Sequence, residues 1–173
     1  MNEFSERLDY EDDEFEDDAD SQKDKYITFK LDKEEFGIEI QYVIEIVGLQ
    51  KITQLPDMPE FIKGVINLRG LVIPILDVRK RFRLEEIPYN DRTCIIVVSI
   101  QEAQLGLIVD EVSEVLDIPE SQVSEPPKTS IHKSRYIKGI GKVGNNVKII
   151  LNIEKILSEE EMNEVIKVAW NNY

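Results

Sequence analysis

His132 and Cys94 are the only histidine and the only cysteine in the 173-residue chain, so metal, redox and nucleophilic chemistry have little to start from. His132 falls in a Pro/Ser/Thr-rich stretch with no second histidine or cysteine at ligand spacing, and reads as a loop residue. Cys94 opens the apolar run CIIVV, the setting of a buried structural thiol. Alone it forms neither an internal disulfide nor a thiolate cluster, which suits a reducing cytoplasm. Gly70, Gly139, Gly141 and Gly144 fit neither nucleotide-binding spacing. No serine stands in a nucleophile elbow. No enzymatic activity, cofactor or metal site is expected.

Carboxylates are the one plentiful functional group. Residues 1–24 hold 12 acidic side chains against only Arg7 and Lys23, so most of the chain's net charge of -14 belongs there. Residues 11–18 read EDDEFEDD. A calcium loop of the EF-hand type needs a glycine at its sharp turn, and no glycine precedes Gly37. Like charges at this density repel, so residues 1–24 are expected to form a disordered acidic tail, with folded sequence starting near Lys25. The remaining 149 residues carry 19 basic and 23 acidic side chains, a near balance that argues against duplex nucleic acid. No apolar run is long enough to span a bilayer, and the N-terminus has no secretory pattern.

The elements that would position any site come from an internal repeat. FGIEIQYVIEIV (36–47) lies over LGLIVDEVSEVL (105–116), which sets Ile38 on Leu107, Val43 on Val112, Glu45 on Glu114 and Ile46 on Val115. The same register places Ile27, Phe29 and Leu31 on Ile96, Val98 and Ile100. Further on, FIKGV (61–65) matches YIKGI (136–140) and VIPILD (72–77) matches VKIILN (147–152), with the offset grown by six residues. SEPPKTS (124–130) has the turn-rich composition of a surface insertion.

Each copy then reads as a strand, a turn, a second strand, a Pro-containing loop and two more strands around a glycine turn. Ile27, Phe29 and Leu31 alternate onto one face, as a strand requires. Pro74 inside its strand demands an edge or a bulge. Asp77 and Asn152 are helix N-caps by type, and short helical turns follow them. Ser158 and Glu161 form a capping box opening a C-terminal amphipathic helix, with Met162, Val165, Ile166, Ala169 and Trp170 at helical spacing. The basic run Arg79 to Arg83 has Glu154, Lys155, Ile156 and Leu157 as repeat counterparts, so a solvated helix face is expected rather than a phosphate site. Two copies, roughly 25–90 and 91–173, suggest two small β-barrels packed on each other, because closure removes sheet edges and neither half has a generous core.

With these segments in place, the chain from about Tyr26 through the C-terminal helix resembles the CheW family, the coupling proteins of bacterial chemotaxis. The resemblance is carried by FGIEI (36–40), VIEIVG (43–48), FIKGVINLRG (61–70), PILD (74–77), DRT (91–93), VDEVSEVL (109–116) and NIEKIL (152–157). It implies a mostly β fold of two intertwined, five-stranded, SH3-like barrels, and a non-enzymatic cytoplasmic adaptor. Such a protein bridges the cytoplasmic tip of methyl-accepting chemoreceptors to the regulatory domain of the histidine kinase CheA, and meets the membrane only through the receptors. The acidic tail departs from the family pattern.

The same resemblance implies a set of partner-binding residues. Glu45 and Arg69 are expected to form a partly buried ion pair that supports a binding surface. A receptor groove is expected at the seam of the two halves, near Ile40, Val43, Leu105 and Val112, with kinase contacts at the outer barrel ends. Gly64, Gly70 and Val115, from the matched segments, complete the set. The competing reading is a small barrel that binds a ligand or an oligonucleotide, which needs a basic groove with exposed aromatics.

Overall fold

The computed structural model of the protein describes residues 22–126 and 135–171. The acidic run at 11–18, His132 and part of the 124–130 insertion lie outside them, so the readings of the tail and of the histidine do too. Among the described residues there are eleven strands: β1 (Lys25–Leu31), β2 (Glu34–Glu39), β3 (Val43–Gly48), β4 (Ile62–Leu68), β5 (Leu71–Asp77), β6 (Cys94–Ile100), β7 (Ala103–Val109), β8 (Glu111–Asp117), β9 (Val123–Ser124), β10 (Ile137–Val143) and β11 (Asn146–Leu151). Two α-helices accompany them, α1 (Val78–Arg81) and α2 (Glu159–Asn171), with single 3-10 turns at Ile40–Tyr42, Glu120–Gln122 and Ile153–Lys155.

One sheet runs β8-β1-β2-β11-β10-β9 and the other β3-β6-β7-β5-β4. β8 and β9 follow each other in the chain, so the first sheet returns on itself. The second closes where the chain after β3 reaches Thr53, which exchanges backbone hydrogen bonds of 2.8 and 2.9 Å with Val65 of β4. The fold is therefore mostly β and built as two small barrels, as expected. β3 and β8 add a strand to each copy that the repeat spacing alone did not define.

Each barrel mixes the two copies of the repeat. β1 and β2 sit with β8, β10 and β11, whereas β3, β4 and β5 sit with β6 and β7. The joints between copies include two parallel ladders, β2 with β11 and β5 with β7. Strand alternation sends Ile27, Phe29 and Leu31 into the same layer as Ile96, Val98, Ile100, Leu105 and Leu107, and this is the largest apolar cluster. Inside the second sheet's barrel lie Ile66, Ile73, Ile75, Ile95 and Val97. The first sheet's barrel has a smaller filling of Tyr26, Ile118 and Ile150. Burying each such aliphatic side chain stabilises by about 1.5–3 kcal/mol, so the layer between the barrels binds the halves together.

Glycines in FIKGV and YIKGI mark the two closures. Gly64 has φ 144°, and a Cβ there would stand 2.0 Å from the Thr53 carbonyl oxygen. At Gly139 a Cβ would stand 2.8 Å from Val123 Cγ1 and 3.0 Å from the Ser124 carbonyl oxygen. Both glycines end a register shift in their hairpins.

Other local expectations divide. Ser158 and Glu161 make the capping box, through bonds of 2.9 and 3.1 Å, and Met162 and Val165 of α2 pack on the central layer. Asp77 caps α1 by accepting from the Lys80 N–H at 3.3 Å, whereas Asn152 holds the cap position without a side-chain bond. Pro74 sits in an internal strand rather than at an edge, one pair away from the bulge of the β4–β5 ladder at Gly64. It is tolerated because β7 pairs with β5 only from Ile75 onward.

Candidate functional site

The β4–β5 hairpin turns through Arg69 at φ 53° and Gly70 at φ 87°, the left-handed pair of a type I′ turn. Asn67 Oδ1 accepts from the Gly70 N–H at 2.8 Å and fixes the turn. Glycine adopts this backbone freely and arginine does not; the repeat counterpart of Arg69 is Gly144, at φ 60°. The turn aims the Arg69 guanidinium back over β3, where it donates to the Glu45 carboxylate. A bulge between Val43 and Glu45 sets Glu45 opposite Val97, on the face that lines the barrel. The carboxylate keeps access to water at that apolar rim, and Arg69 adds an opposite charge there. The pair lies at the surface, with the Arg69 side chain 71% exposed and that of Glu45 28%.

Several aliphatic side chains next to the pair in sequence are exposed. Ile44 and Ile46 on β3 are 45% and 43% exposed, Leu49 follows them, and Leu71 beside the turn is 49% exposed. They do not share one face: Ile46 stands opposite Ile96 of the central layer, on the side of β3 turned away from Glu45, whereas Leu71 alternates with Ile73 and Ile75 on the barrel-lining face. None was in the expected set. The repeat carries a usable signal: Ile44 and Leu71 have the polar counterparts Ser113 and Asn146.

At the seam, Val43, Val98 and Leu105 form one cross-strand row, and Val112, Phe29 and Phe36 form the matching row in the other barrel. Val43 and Val112 are half-buried at the border of the central layer, and Ile40 joins them there. The Val43 N–H donates to the Ile40 carbonyl, which ties these two together. Leu105 is 1% exposed and offers a partner no surface. Gly64 is buried at the barrel closure, where its want of a side chain serves the backbone. Val115 is 54% exposed opposite Ile27, as Ile46 stands opposite Ile96 on the other barrel. Glu45, Arg69 and Gly70 are thus brought together, Ile40 joins Val43, and Val115 stands on the opposite barrel.

The basic run after β5 differs from the expected solvated face. Arg79 is buried: it donates to Asp110 Oδ1 at 2.8 Å and Oδ2 at 2.6 Å, to Asp32 at 3.2 Å and to the Glu85 carbonyl at 2.8 Å. Arg81 lies between Phe61 and Tyr136, themselves repeat counterparts, at 4.1 and 4.8 Å from their ring centres, and binds Glu161 with both ends of its fork. Both guanidiniums are spent internally, joining α1 to two strand turns and to α2. Tyr42, hydrogen-bonded to Glu154 at 3.0 Å, has its phenol pushed up to about 12, by burial first and by that carboxylate second. Burial also pushes the Cys94 thiol up, away from the reactive thiolate.

What this arrangement offers is contact surface: exposed aliphatics and a charge pair at one barrel rim, and a half-buried seam. No group of three or more metal-ligating side chains occurs among the described residues, and no helix there is long and apolar enough to cross a membrane. A family model described as CheW-like domain matches residues 25–161. Chemotaxis protein CheW of Klebsiella aerogenes is 38% identical over 146 residues, covering 84% of this chain and 88% of that one. Chemotaxis protein CheW of Treponema pallidum is 32% identical, covering 80% and 85%. A crystal structure of scaffolding protein TtCheW from Thermoanaerobacter tengcongensis superposes with a TM-score of 0.75 at 36% identity, over 80% of this chain and 94% of that one. The repeat, the interleaved barrels and these matches agree, and the chain belongs to the CheW family.

Proposed function

We propose that this protein is a cytoplasmic, non-catalytic chemotaxis scaffold that couples the signalling tip of methyl-accepting chemoreceptors to the regulatory domain of the kinase CheA. The observation that carries this reading is the surface Glu45–Arg69 pair, with exposed Ile44 and Ile46 flanking Glu45 along β3 and exposed Leu71 following the Arg69–Gly70 turn. Exposed aliphatics beside a surface charge pair suit a protein partner. The receptor tip, a helical hairpin, lays an apolar face along the border of the central layer at Ile40, Val43 and Val112. The kinase domain, of the same family, docks at an outer barrel end.

The ligand- or oligonucleotide-binding alternative fares worse, because the large exposed hydrophobics are mostly aliphatic and base stacking needs aromatics beside a basic groove. Pull-down with a receptor tip and, separately, with a CheA regulatory domain tests the proposal. Retention of both, beside no shift of a single-stranded oligonucleotide, is the expected result. Oligonucleotide binding without either protein would overturn it.

A further inference from the structure

The two barrels differ in one buried feature. Lys148 of β11 is buried and pairs with Glu35 of β2, the side chains being 8% and 26% exposed. The pair straddles the parallel β2–β11 ladder, where Ile149 stands opposite Phe36. At the equivalent β5–β7 ladder the repeat counterparts are the uncharged Ile73 and Gln104, and Ile73 belongs to the apolar filling of that barrel. The charge pair therefore sits at one of the two parallel ladders that join copies; the antiparallel ladders β1–β8 and β3–β6 join them as well.

A repeat protein of this design has a competing topology. β2 could pair with β5 and β7 with β11, with β1 moving to β3 and β6 to β8, giving two self-contained barrels, one per copy. That arrangement would set Glu35 against Ile73 and leave Lys148 beside Gln104, a buried ammonium with no counter-charge. The interleaved arrangement alone brings the opposite charges together. We propose that the Glu35–Lys148 pair is a pairing code: it selects the interleaved barrels over the self-contained ones, as a buried polar residue sets register in a coiled coil.

Disulfide trapping after refolding reads the topology. Extending the β2–β11 register by two places sets Glu34 opposite Val147, whereas the self-contained form would set Glu34 opposite Val72, the counterpart of Val147. In a C94S background, E34C with V147C reports the interleaved form and E34C with V72C the self-contained one, both scored in the monomer fraction. The native code should give only the 34–147 link. E35Q/K148I makes the joint as neutral as its counterpart, and such replacements usually keep a protein folded. In it the 34–72 link should rise at least about tenfold, the signature of a lost specificity term. K148I/I73K moves the lysine into the first copy and should make the 34–72 link dominant. A 34–72 yield in E35Q/K148I no higher than in the native-code chain overturns the proposal, whether or not K148I/I73K folds.

Discussion

Arg69 holds a left-handed backbone that a glycine would take without strain, and its guanidinium reaches Glu45 from there. In folding these effects oppose each other, since an exposed ion pair contributes little. R69G is therefore expected to shift the unfolding free energy by no more than about 1 kcal/mol in urea titration. Partner binding should fall by about tenfold or more, and a double-mutant cycle with E45Q should show coupling. Zero coupling would make the two residues independent. Gly64 and Gly70 separate in the opposite sense. G64A drives a Cβ into the Thr53 carbonyl and should cost about 3 kcal/mol or more. G70A meets nothing within 4 Å and should cost about 1 kcal/mol, from its backbone alone. The matched segments made Glu45 and Arg69 legible in the sequence. Alternation alone does not reveal Ile44 and Leu71, because it assigns a face without saying whether anything covers it; their polar repeat counterparts Ser113 and Asn146 are the one sequence signal.

Short elements here are held by charges from far along the chain. Burial pushes the Asp110 and Glu161 carboxyls up, but hydrogen bonds from Arg79 and Arg81, with backbone donors, outweigh it and hold both below the ordinary range. A carboxylate whose pKa is lower in the folded state adds stability that is complete above the unfolded value, about pH 4, and is lost as pH falls through the folded one. D110N and E161Q should each flatten the acid limb of the stability curve. At pH 7, D110N should cost about 3 kcal/mol, because Arg79 stays buried with a weaker partner. S158A removes only the cap of α2 and should cost about 1 kcal/mol. An acid limb unchanged in both carboxylate variants would remove these pairs from the account. The capping box was readable because its members lie three residues apart. The burial of Arg79 and Arg81 was not, since Asp32, Asp110 and Glu161 are distant in sequence and a run of bases reads as solvated wherever its partners are non-local.

For the whole molecule, repeat arithmetic supplied two copies and the outline of two barrels. It was silent on which copy each strand joins, because equivalent strands present nearly the same pattern to either partner; family resemblance supplied the interleaving. Interleaving also makes the seam continuous, since rows from both barrels end at Val43 and Val112. V43D places a charge at that border, where it keeps access to water, and should leave the fold intact. L105D places one inside the layer and should unfold the protein. The most direct measurement of the scaffold claim is co-sedimentation of a CheA regulatory domain with receptor-tip assemblies, with and without this protein. The account predicts that kinase sediments only when the protein is present, and that V43D abolishes sedimentation while still binding kinase alone. Kinase sedimenting equally without the protein, or undiminished with V43D, would contradict it.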